Sequence, residues 1–265
     1  DNSPIWDASL NRIKINKFKY SSLRVDNKKV NSNERPSNLT YEKYIKLIEI
    51  FKDCNYIESE IINSSQFLIQ DVLFNVLLQK SNIALKEIAD ILGYTQQSHK
   101  ISKWIIKTKS AINKKLFYNG FYYDYDLKLS RHIEIKTVTG LSPIIFDTNK
   151  QYLINILKNN FLDLNNNNYN ISSIDRNSNF FDPINYWRGP TWINISWIIL
   201  SGIKYSDTQL YQKIKNNIIL KIENIGFFEY FNSNDIGQDI NSGIGDNFFS
   251  WTASMYLCLI SDIEF

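Results

Sequence analysis

Tyr186-Trp187-Arg188-Gly189-Pro190-Thr191-Trp192-Ile193-Asn194 is the stretch of this sequence that says most about the fold. Together with Trp197 it holds three of the six tryptophans of the chain within eleven residues, beside an arginine, a glycine and a proline. A helix that only fills a core favours leucine and isoleucine and avoids Gly-Pro. Tryptophan and tyrosine beside a guanidinium instead suit a pocket in which sugar rings stack and sugar hydroxyls are hydrogen-bonded.

A simpler interpretation of the same residues concerns only the backbone. Gly189-Pro190 is compatible with a helix start that has proline at its first helical position. Gly226, farther along the chain, is compatible with the left-handed residue that ends a preceding helix. Each fragment alone favours this structural interpretation, so only their combination points to a function.

Five further motifs accompany this stretch. In chain order they are Asp1-Asn2-Ser3-Pro4-Ile5-Trp6-Asp7, Phe67-Leu68-Ile69-Gln70-Asp71, Lys136-Thr137-Val138-Thr139-Gly140-Leu141-Ser142-Pro143, Gly226-Phe227-Phe228-Glu229-Tyr230-Phe231 and Phe249-Ser250-Trp251-Thr252-Ala253. With these motifs in this order, the chain resembles the catalytic domain of glycoside hydrolase family 63 over nearly its whole length. The resemblance is closest to the mannosylglycerate/glucosylglycerate hydrolase branch of that family.

This resemblance implies an all-α fold, the (α/α)6 toroid or six-hairpin barrel of glucoamylase- and trehalase-like enzymes, whose active site is formed by loops at one end. The helices that the sequence predicts are too few for a complete toroid of ordinary helices. We therefore expect residues 1–265 to form one glycosidase domain that is the C-terminal portion of the toroid, truncated at its N-terminus. A small β-hairpin insertion is also expected.

Apolar periodicity and turn residues predict the individual elements. Helices are predicted near 41–51, 67–78, 83–92, 99–116, 148–161, 192–201, 207–222 and 248–259. Gly93 is expected to end the third of these helices. An aromatic hairpin is predicted at 117–127, with Gly120 at its turn, and a partner strand at 133–138. The asparagine run at 165–168 is predicted to be a loop without packing demands.

The resemblance also implies the catalytic residues. A glycosidase needs two carboxyl groups across the scissile bond, and composition cannot select them from 27 acidic residues. By resemblance, Asp1 is the general acid and Glu229 is the general base that activates water. Because the family inverts, we expect the two carboxyl groups to lie about 6.5–9.5 Å apart. A glutamate on an aromatic strand without catalytic role would show the same local pattern as Glu229.

The motifs further supply candidate substrate-binding residues. These are Trp6, Gln70, Tyr186, Trp187, Arg188, Gly189, Trp192, Tyr230 and Trp251. Two of the four tryptophans are expected to belong to the core instead. Arg188 either binds sugar hydroxyls or a substrate carboxylate, or forms a structural ion pair. Asp7 is a candidate partner residue, and Asp71 and Lys136 are weaker candidates.

Composition argues against several other classes. The net charge is only +3 and no dense Lys/Arg cluster appears, so no nucleic-acid partner is expected. No run of about 18 apolar residues predicts a membrane span. Cys54 and Cys258 are too few for a disulfide framework or a zinc site and are expected to be reduced thiols; a cytoplasmic protein is expected. His99 and His132 are expected to be structural or surface residues, and no motif implies a cofactor or a metal.

The expected function is therefore hydrolysis, with inversion, of an α-glycoside of a small conjugate such as glucosylglycerate or mannosylglycerate. Two alternatives remain: an oligosaccharide-processing or glycogen-debranching-like α-glucosidase, and an inactive or carbohydrate-binding fragment. Ile5 stands where the branch generally has arginine, and residues 232–242 replace a shorter turn. The sequence thus leaves the sugar, the aglycone and the oligomeric state open.

Overall fold

Helices form most of the chain in the computed structural model, which describes residues 2–16, 18–28, 30–146, 150–236 and 242–265. The α-helices are α1 (Asp7–Leu10), α2 (Asn38–Asp53), α3 (Glu58–Ser64), α4 (Val72–Ile91), α5 (Thr95–Ala111), α6 (Lys150–Ile156), α7 (Ile193–Ile203), α8 (Thr208–Ile225) and α9 (Ser250–Ile260). Helical turns of 3₁₀ type cover Pro4–Trp6, Ser21–Leu23, Asp26–Lys28, Ser32–Glu34, Val138–Ile145 and Leu164–Asn166, and π-helical turns extend α5 and α6 over Ile112–Leu116 and Leu157–Phe161.

The strands are short and all pair antiparallel. They are β1 (Ile69–Gln70), β2 (Phe117–Tyr118), β3 (Phe121–Tyr122), β4 (Tyr125–Asp126), β5 (Arg131–His132), β6 (Tyr230–Phe231) and β7 (Gly243–Ile244). Strands β1, β4 and β5 form one sheet in this order, while β2 pairs with β3 and β6 pairs with β7. The predicted aromatic hairpin is confirmed over 117–122, because Tyr118 faces Phe121 across the turn at Gly120, whereas β4 pairs with β1 and β5 instead.

The longest helix, α4, is continuous where two helices were expected with a break at 79–82. Gln79 and Asn82 are buried in this helix, with 1% and 9% exposure, so their polarity does not mark a turn. The helix starts later than predicted, where the Asp71 carboxylate accepts a hydrogen bond from the backbone N–H of Phe74 at 2.5 Å and caps it. The prediction of two helices is wrong because tertiary burial overrides the local signal.

The strand predicted at 133–138 is also wrong. Strand β5 ends at His132, and Thr137 forms only an isolated bridge to Ile174. Helix α3 was not predicted at all. It has seven residues and none of them is buried, so it carries no apolar periodicity that a sequence pattern could detect.

The backbone agrees with the sequence prediction at two turn or cap positions and differs from it at two others. Gly93 and Gly120 have φ of +72° and +77°, as predicted for the residues after a helix and in a turn. Gly226 ends α8 with φ +110° and ψ −174°, which is not the left-handed helical conformation expected for it. Helix α7 begins only at Ile193, so Pro190 does not occupy the first position of a helix.

The asparagine run packs more closely than predicted. Asn168 is 1% exposed, and its Nδ2 donates a hydrogen bond to the carbonyl of Ser233 at 2.8 Å. Its Oδ1 accepts from the backbone N–H of Asn170 at 2.9 Å. The run therefore ties two loops together, and the expectation that it has no packing demand is wrong. The helix predicted at 148–161 is confirmed from Lys150 onward, whereas residues 147–149 lie outside the described residues.

The main core surrounds α7, which is buried on nearly all sides, as expected of a helix that is apolar all round. Ile199 and Ile203 of α7 are both 0% exposed. The 3₁₀ segment Val138–Ile145 packs against this helix so closely that a Cβ on Gly202 would lie 2.5 Å from Cγ2 of Ile144. A separate small cluster of Leu10, Ile13 and Leu47 joins the N-terminal segment to α2.

Among the described residues, no helix combines the length and the apolar character that a bilayer crossing requires. Cys54 and Cys258 are both free, and Cys54 is buried. The prediction of two unpaired thiols is therefore confirmed.

Truncation of Ile199 to alanine tests the position of this core. Because Ile199 is fully buried, Ile199→Ala is expected to lower the free energy of unfolding by about 2–5 kcal/mol, through lost burial and a residual cavity. Urea unfolding followed by circular dichroism measures this change. The matched control is Ile48→Ala on α2, where the side chain is 52% exposed and a change within about 0.5 kcal/mol is expected. Equal losses in the two variants would contradict the assignment.

Candidate active site

The N-terminal motif and the tryptophan-rich motif meet in space although they are separated by most of the chain. Nδ2 of Asn2 donates to Oδ1 of Asn185 at 2.8 Å, and Oδ1 of Asn2 accepts from the backbone N–H of Trp187 at 2.9 Å. Arg188 and Asp7 form an ion pair at 2.7 Å. Arg188 therefore has the structural partner that was one of its two predicted roles, and the pair joins the two motifs.

Asp1, the predicted general acid, lies outside the described residues. The predicted separation between its carboxyl group and that of Glu229 therefore stays a prediction. Its neighbour Asn2 is held against Asn185 and Trp187 by the hydrogen bonds given above.

A pocket of about 190 Å³ opens beside this junction. Its lining combines three tryptophans, four aliphatic residues and six polar residues: Trp6, Trp187, Trp251, Ile5, Leu73, Val138, Ile195, Ser3, Asp71, Thr137, Thr139, Ser173 and Asn194. Five of the sequence motifs contribute to this lining, through Trp6, Asp71, Val138, Trp187 and Trp251. The motifs that are dispersed in the sequence thus converge on one concave site.

Three polar atoms of pocket-lining residues are buried without a well-formed hydrogen bond to any of the described residues. They are Nε1 of Trp6, Oγ of Ser173 and Nδ2 of Asn194. Buried polar groups in folded proteins are nearly always hydrogen-bonded, so a group without a protein partner indicates a water or a ligand. Two of these atoms are N–H donors and the third is a hydroxyl, which suits a polyhydroxylated ligand.

Glu229 lies in a different environment and is not part of the lining of this pocket. It is 6% exposed and precedes β6. Nη2 of Arg35 contacts its Oε2 at 2.6 Å, and both side chains are almost completely buried. The Arg35 guanidinium also lies over the ring of Tyr186, 5.1 Å from its centre. Arg35 was not predicted, because it stands in the irregular segment before α2 and belongs to none of the motifs.

Gly245 completes the surroundings of the Glu229 carboxylate. Its φ is +80°, and a Cβ at this position would lie 2.6 Å from Oε2 of Glu229. Its backbone N–H donates to Oε2 of Glu34 at 3.2 Å, and the backbone carbonyl of Glu34 accepts from the Tyr230 hydroxyl at 3.4 Å. The Ser32–Glu34 turn, β6 and the residue after β7 therefore enclose Glu229 from three sides.

A stack of aromatic rings connects the pocket with Glu229. The rings of Trp187 and Trp192 are parallel to within 7° at 4.0 Å, and Trp192 stacks on Tyr230 at 5.0 Å. Trp192 is 3% exposed and Tyr230 is 0% exposed. Of the four motif tryptophans, Trp192 is buried in the core, whereas Trp6, Trp187 and Trp251 line the pocket. The expectation that two of the four belong to the core is therefore wrong.

Tyr186 and Gly189 occupy restricted backbone positions in the tryptophan-rich motif. Tyr186 has φ +44°, a conformation that is costly for a bulky residue and that often occurs at functional sites. Burial raises the pKa of Tyr186, and the negative charge of Glu229 adds to the effect. A Cβ on Gly189 would lie 2.2 Å from the carbonyl oxygen of Asp182, so glycine is required there by the backbone contact. Whether Gly189 also contacts a substrate stays a prediction.

The remaining candidates lie at the edges of the site. Gln70 is in β1 with Oε1 buried and without a partner among the described residues, and Lys136 contacts Asp175 at 3.9 Å. The ring of His132 stacks on Tyr118 at 4.5 Å, and Nδ1 of His99 contacts the carbonyl of Thr95 at 2.9 Å. Both histidine contacts are structural.

Known proteins resemble this chain in sequence. A family model described as the mannosylglycerate hydrolase MGH1-like glycoside hydrolase domain matches residues 1–252. A mannosylglycerate hydrolase of Thermus thermophilus is 32% identical over 260 residues, which cover 97% of this chain and 61% of that protein. A mannosylglycerate hydrolase of Rubrobacter radiotolerans is 30% identical and covers 98% of this chain and 59% of that protein.

The fold of this chain is also similar to that of a solved mannosylglycerate hydrolase. The crystal structure of a GH63 mannosylglycerate hydrolase from Thermus thermophilus, in complex with Tris and D-glycerate, matches this chain with a TM-score of 0.85 at 30% identity. The match covers 99% of this chain and 62% of that chain. A helical scaffold with a tryptophan-lined pocket and this likeness define a glycoside hydrolase domain. The chain belongs to the mannosylglycerate hydrolase MGH1-like family, and it spans about three fifths of the length of the relatives it matches.

The ion pair between Arg35 and Glu229 gives a direct test of this site. Removal of one partner from a buried pair leaves an uncompensated charge, so Arg35→Ala is expected to lower the free energy of unfolding by about 3–5 kcal/mol. The double variant Arg35→Ala/Glu229→Gln is expected to recover most of the loss, because no charge is left unpaired. Urea unfolding of the two single variants and the double variant measures the coupling.

The control for this cycle is Arg131→Ala, at an exposed position of β5, for which a change within about 0.5 kcal/mol is expected. If the effects of Arg35→Ala and Glu229→Gln simply add, the two residues are not paired in the folded protein.

Proposed function

We propose that the protein is an inverting α-glycoside hydrolase that acts on mannosylglycerate or glucosylglycerate. The observation that carries this proposal is the pocket, in which three tryptophans surround buried polar atoms that lack protein partners among the described residues. Aromatic faces stack on the apolar faces of a sugar ring, and the unpartnered groups supply hydrogen bonds to its hydroxyls. The names of the relatives support glycerate conjugates as the substrate class.

In this proposal Glu229 is the general base. It removes a proton from the water that attacks the anomeric carbon, while Asp1 protonates the leaving oxygen as general acid. Arg35 and Gly245 fix the orientation of the Glu229 carboxylate, because one contacts its oxygen and the other leaves no room for a side chain. A positioned base of this kind accelerates a reaction by about 10²–10⁴-fold.

The pocket is assigned to the sugar rather than to the glycerate. Its lining holds Asp71 as a charged residue but no lysine or arginine among the described residues. A glycerate carboxylate has no counter-charge there, and Ile5, which replaces the arginine usual in this branch, is one of the lining residues. The aglycone therefore extends out of this pocket.

The architecture proposed for the whole protein is the (α/α)6 toroid, of which residues 1–265 form the C-terminal portion of one glycosidase domain. Exposed apolar side chains on α4 and α5 support this proposal, since Phe74, Ile91 and Ile106 are 76%, 83% and 70% exposed. Large apolar surfaces on soluble domains mark interfaces, and further helices of the toroid would cover them. The protein is proposed to be cytoplasmic, with a small carbohydrate as its partner.

Replacement of the general base tests the chemistry. In the natural full-length protein, Glu229→Gln is expected to lower kcat for mannosylglycerate or glucosylglycerate by at least about 10²-fold, because glutamine cannot accept the proton of water. Proton NMR of the released sugar is expected to show the inverted anomer. Glu223→Gln, an exposed position on α8, is the matched control and is expected to retain activity.

Three other results would contradict the proposal. Undiminished turnover by Glu229→Gln removes Glu229 from the mechanism. Hydrolysis of glucose oligosaccharides alone identifies a processing α-glucosidase, and sugar binding without turnover of any substrate identifies a binding protein.

Charge introduced on the apolar face of α4 tests the architecture. Ile91→Lys in the full-length protein is expected to lower the melting temperature, because a covered Ile91 would leave a buried unpaired charge after substitution. Glu60→Lys, at an exposed site on α3, is expected to have little effect. Equal melting temperatures for the two variants would show that this face stays open to solvent.

A further inference from the structure

Two carboxyl groups meet at the start of α4, on the wall of the sugar pocket. Asp71 is the N-cap residue of α4 and lines the pocket. Asp124, between β3 and β4, is 4% exposed, and its Oδ1 accepts a hydrogen bond from the backbone N–H of Val72 at 2.8 Å. The neighbouring N–H groups of one helix therefore hold both carboxyls, since Phe74 donates to Asp71.

The second oxygen of Asp124 makes no well-formed hydrogen bond. Its Oδ2 is buried and without such a partner among the described residues. Among the described residues, the Asp71 carboxyl and the Trp6 indole lie near enough to Asp124 for a side-chain hydrogen bond. Two carboxylates cannot hydrogen-bond to each other unless one of them carries a proton, because an ionised carboxylate only accepts.

No cation is free to neutralise this pair in the part of the chain that is described. On the elements packed around it, Arg12 pairs with Asp126 at 2.7 Å and Arg188 pairs with Asp7 at 2.7 Å. Lys136 faces Asp175, and the ring of His132 lies against Tyr118 and Tyr125. A proton is therefore the remaining way to remove one of the two negative charges.

We propose that Asp71 and Asp124 share one proton, with the O–H of Asp124 donating to the Asp71 carboxylate. The singly charged pair then positions the sugar, because Asp71 accepts a hydrogen bond from a sugar hydroxyl. The claim that Asp71 binds a sugar hydroxyl rests on the proposed function. Asp71 is thus a ligand-binding residue and Asp124 a positioning residue that acts through it. The indole N–H of Trp6 lies beside the Asp124 carboxyl, and the Trp6 ring lines the same pocket.

The electrostatics of the pair agree with this assignment. Burial raises the pKa of Asp124 to about 8, and the negative charge of Asp71 contributes in the same direction, while the N–H groups of Val72 and Trp6 oppose the rise. Burial also raises the pKa of Asp71, although its hydrogen bond from Phe74 opposes the effect. The paired carboxyls therefore hold one proton near neutral pH and lose it as the pH passes about 8.

The sign of the effect on stability follows from proton linkage. The unfolded chain releases the Asp124 proton near the ordinary value of 3.8, whereas the folded chain keeps it up to about pH 8. Between these values the folded state binds more protons, so the stability contributed by this group decreases as the pH rises and is lost above about pH 8.

The first experiment does not depend on activity. Infrared spectroscopy of the full-length protein at pH 7 is expected to show the carbonyl band of a protonated buried carboxyl group, and this band is expected to disappear in Asp124→Asn.

The melting temperature of the wild type is expected to fall more steeply between pH 5 and 9 than that of Asp124→Asn. Asp53→Asn, at an exposed position of α2, is the matched control and is expected to follow the wild type. An unchanged band and identical pH profiles in Asp124→Asn would overturn proton sharing.

The second experiment tests the role in sugar binding. The KM of the wild type is expected to rise about tenfold between pH 7 and 9, because only about a tenth of the molecules keep the Asp124 proton that orients Asp71 one pH unit above a pKa of about 8. In Asp124→Asn an amide N–H replaces the O–H and cannot be lost, so this alkaline rise is expected to be absent. Asp71→Asn is expected to raise KM at every pH. A wild-type KM that is constant over this range would overturn the positioning role and leave the infrared result unaffected. Failure to hydrolyse any glycoside would affect only the proposed function.

Discussion

The stacking of Trp192 between Trp187 and Tyr230 is the interaction on which both parts of the site depend. Trp187 is a wall of the pocket, and Tyr230 directly follows Glu229 in the chain. Trp192 is buried between the rings of Trp187 and Tyr230. Ring contacts, and not a loop, therefore set the position of the pocket relative to the Glu229 carboxylate. Each stacked pair contributes about 0.5–1.5 kcal/mol beyond the burial of its surface, and the planar contact also restricts orientation.

The polar groups around this stack fall into two kinds. Those that hold the framework have partners within the chain, as in the pairs Arg35–Glu229 and Arg188–Asp7. In the pocket, Asp71 and the hydroxyl pair Thr137–Thr139 have partners within the chain, whereas Nδ2 of Asn194 and Oγ of Ser173 have none among the described residues. A buried group without a partner costs about 1–3 kcal/mol, so the unpartnered pocket groups lower the stability of the fold, whereas each charge of the two framework pairs is compensated by its partner.

The sequence predicted the helices well where apolar periodicity was uninterrupted, as in α7 and α8. It failed at α4, where the polar residues Gln79 and Asn82 are buried against other elements. It also failed at residues 133–138, where pairing is limited to an isolated bridge between Thr137 and Ile174. In both places the outcome depends on contacts with distant segments. Local propensity cannot describe such contacts.

The sequence by itself determined the family, the helical class and most of the pocket, because the motifs keep their residue types and order. Trp6, Trp187 and Trp251 stand in these motifs and line the pocket. Only the tertiary structure decided that Trp192 is core, that Arg35 holds Glu229 and that Asp124 lies against Asp71. These assignments join residues up to 194 positions apart. Arg35 and Asp124 lie outside every motif, so burial and proximity, which exist only in the folded chain, distinguish them from the other charged residues.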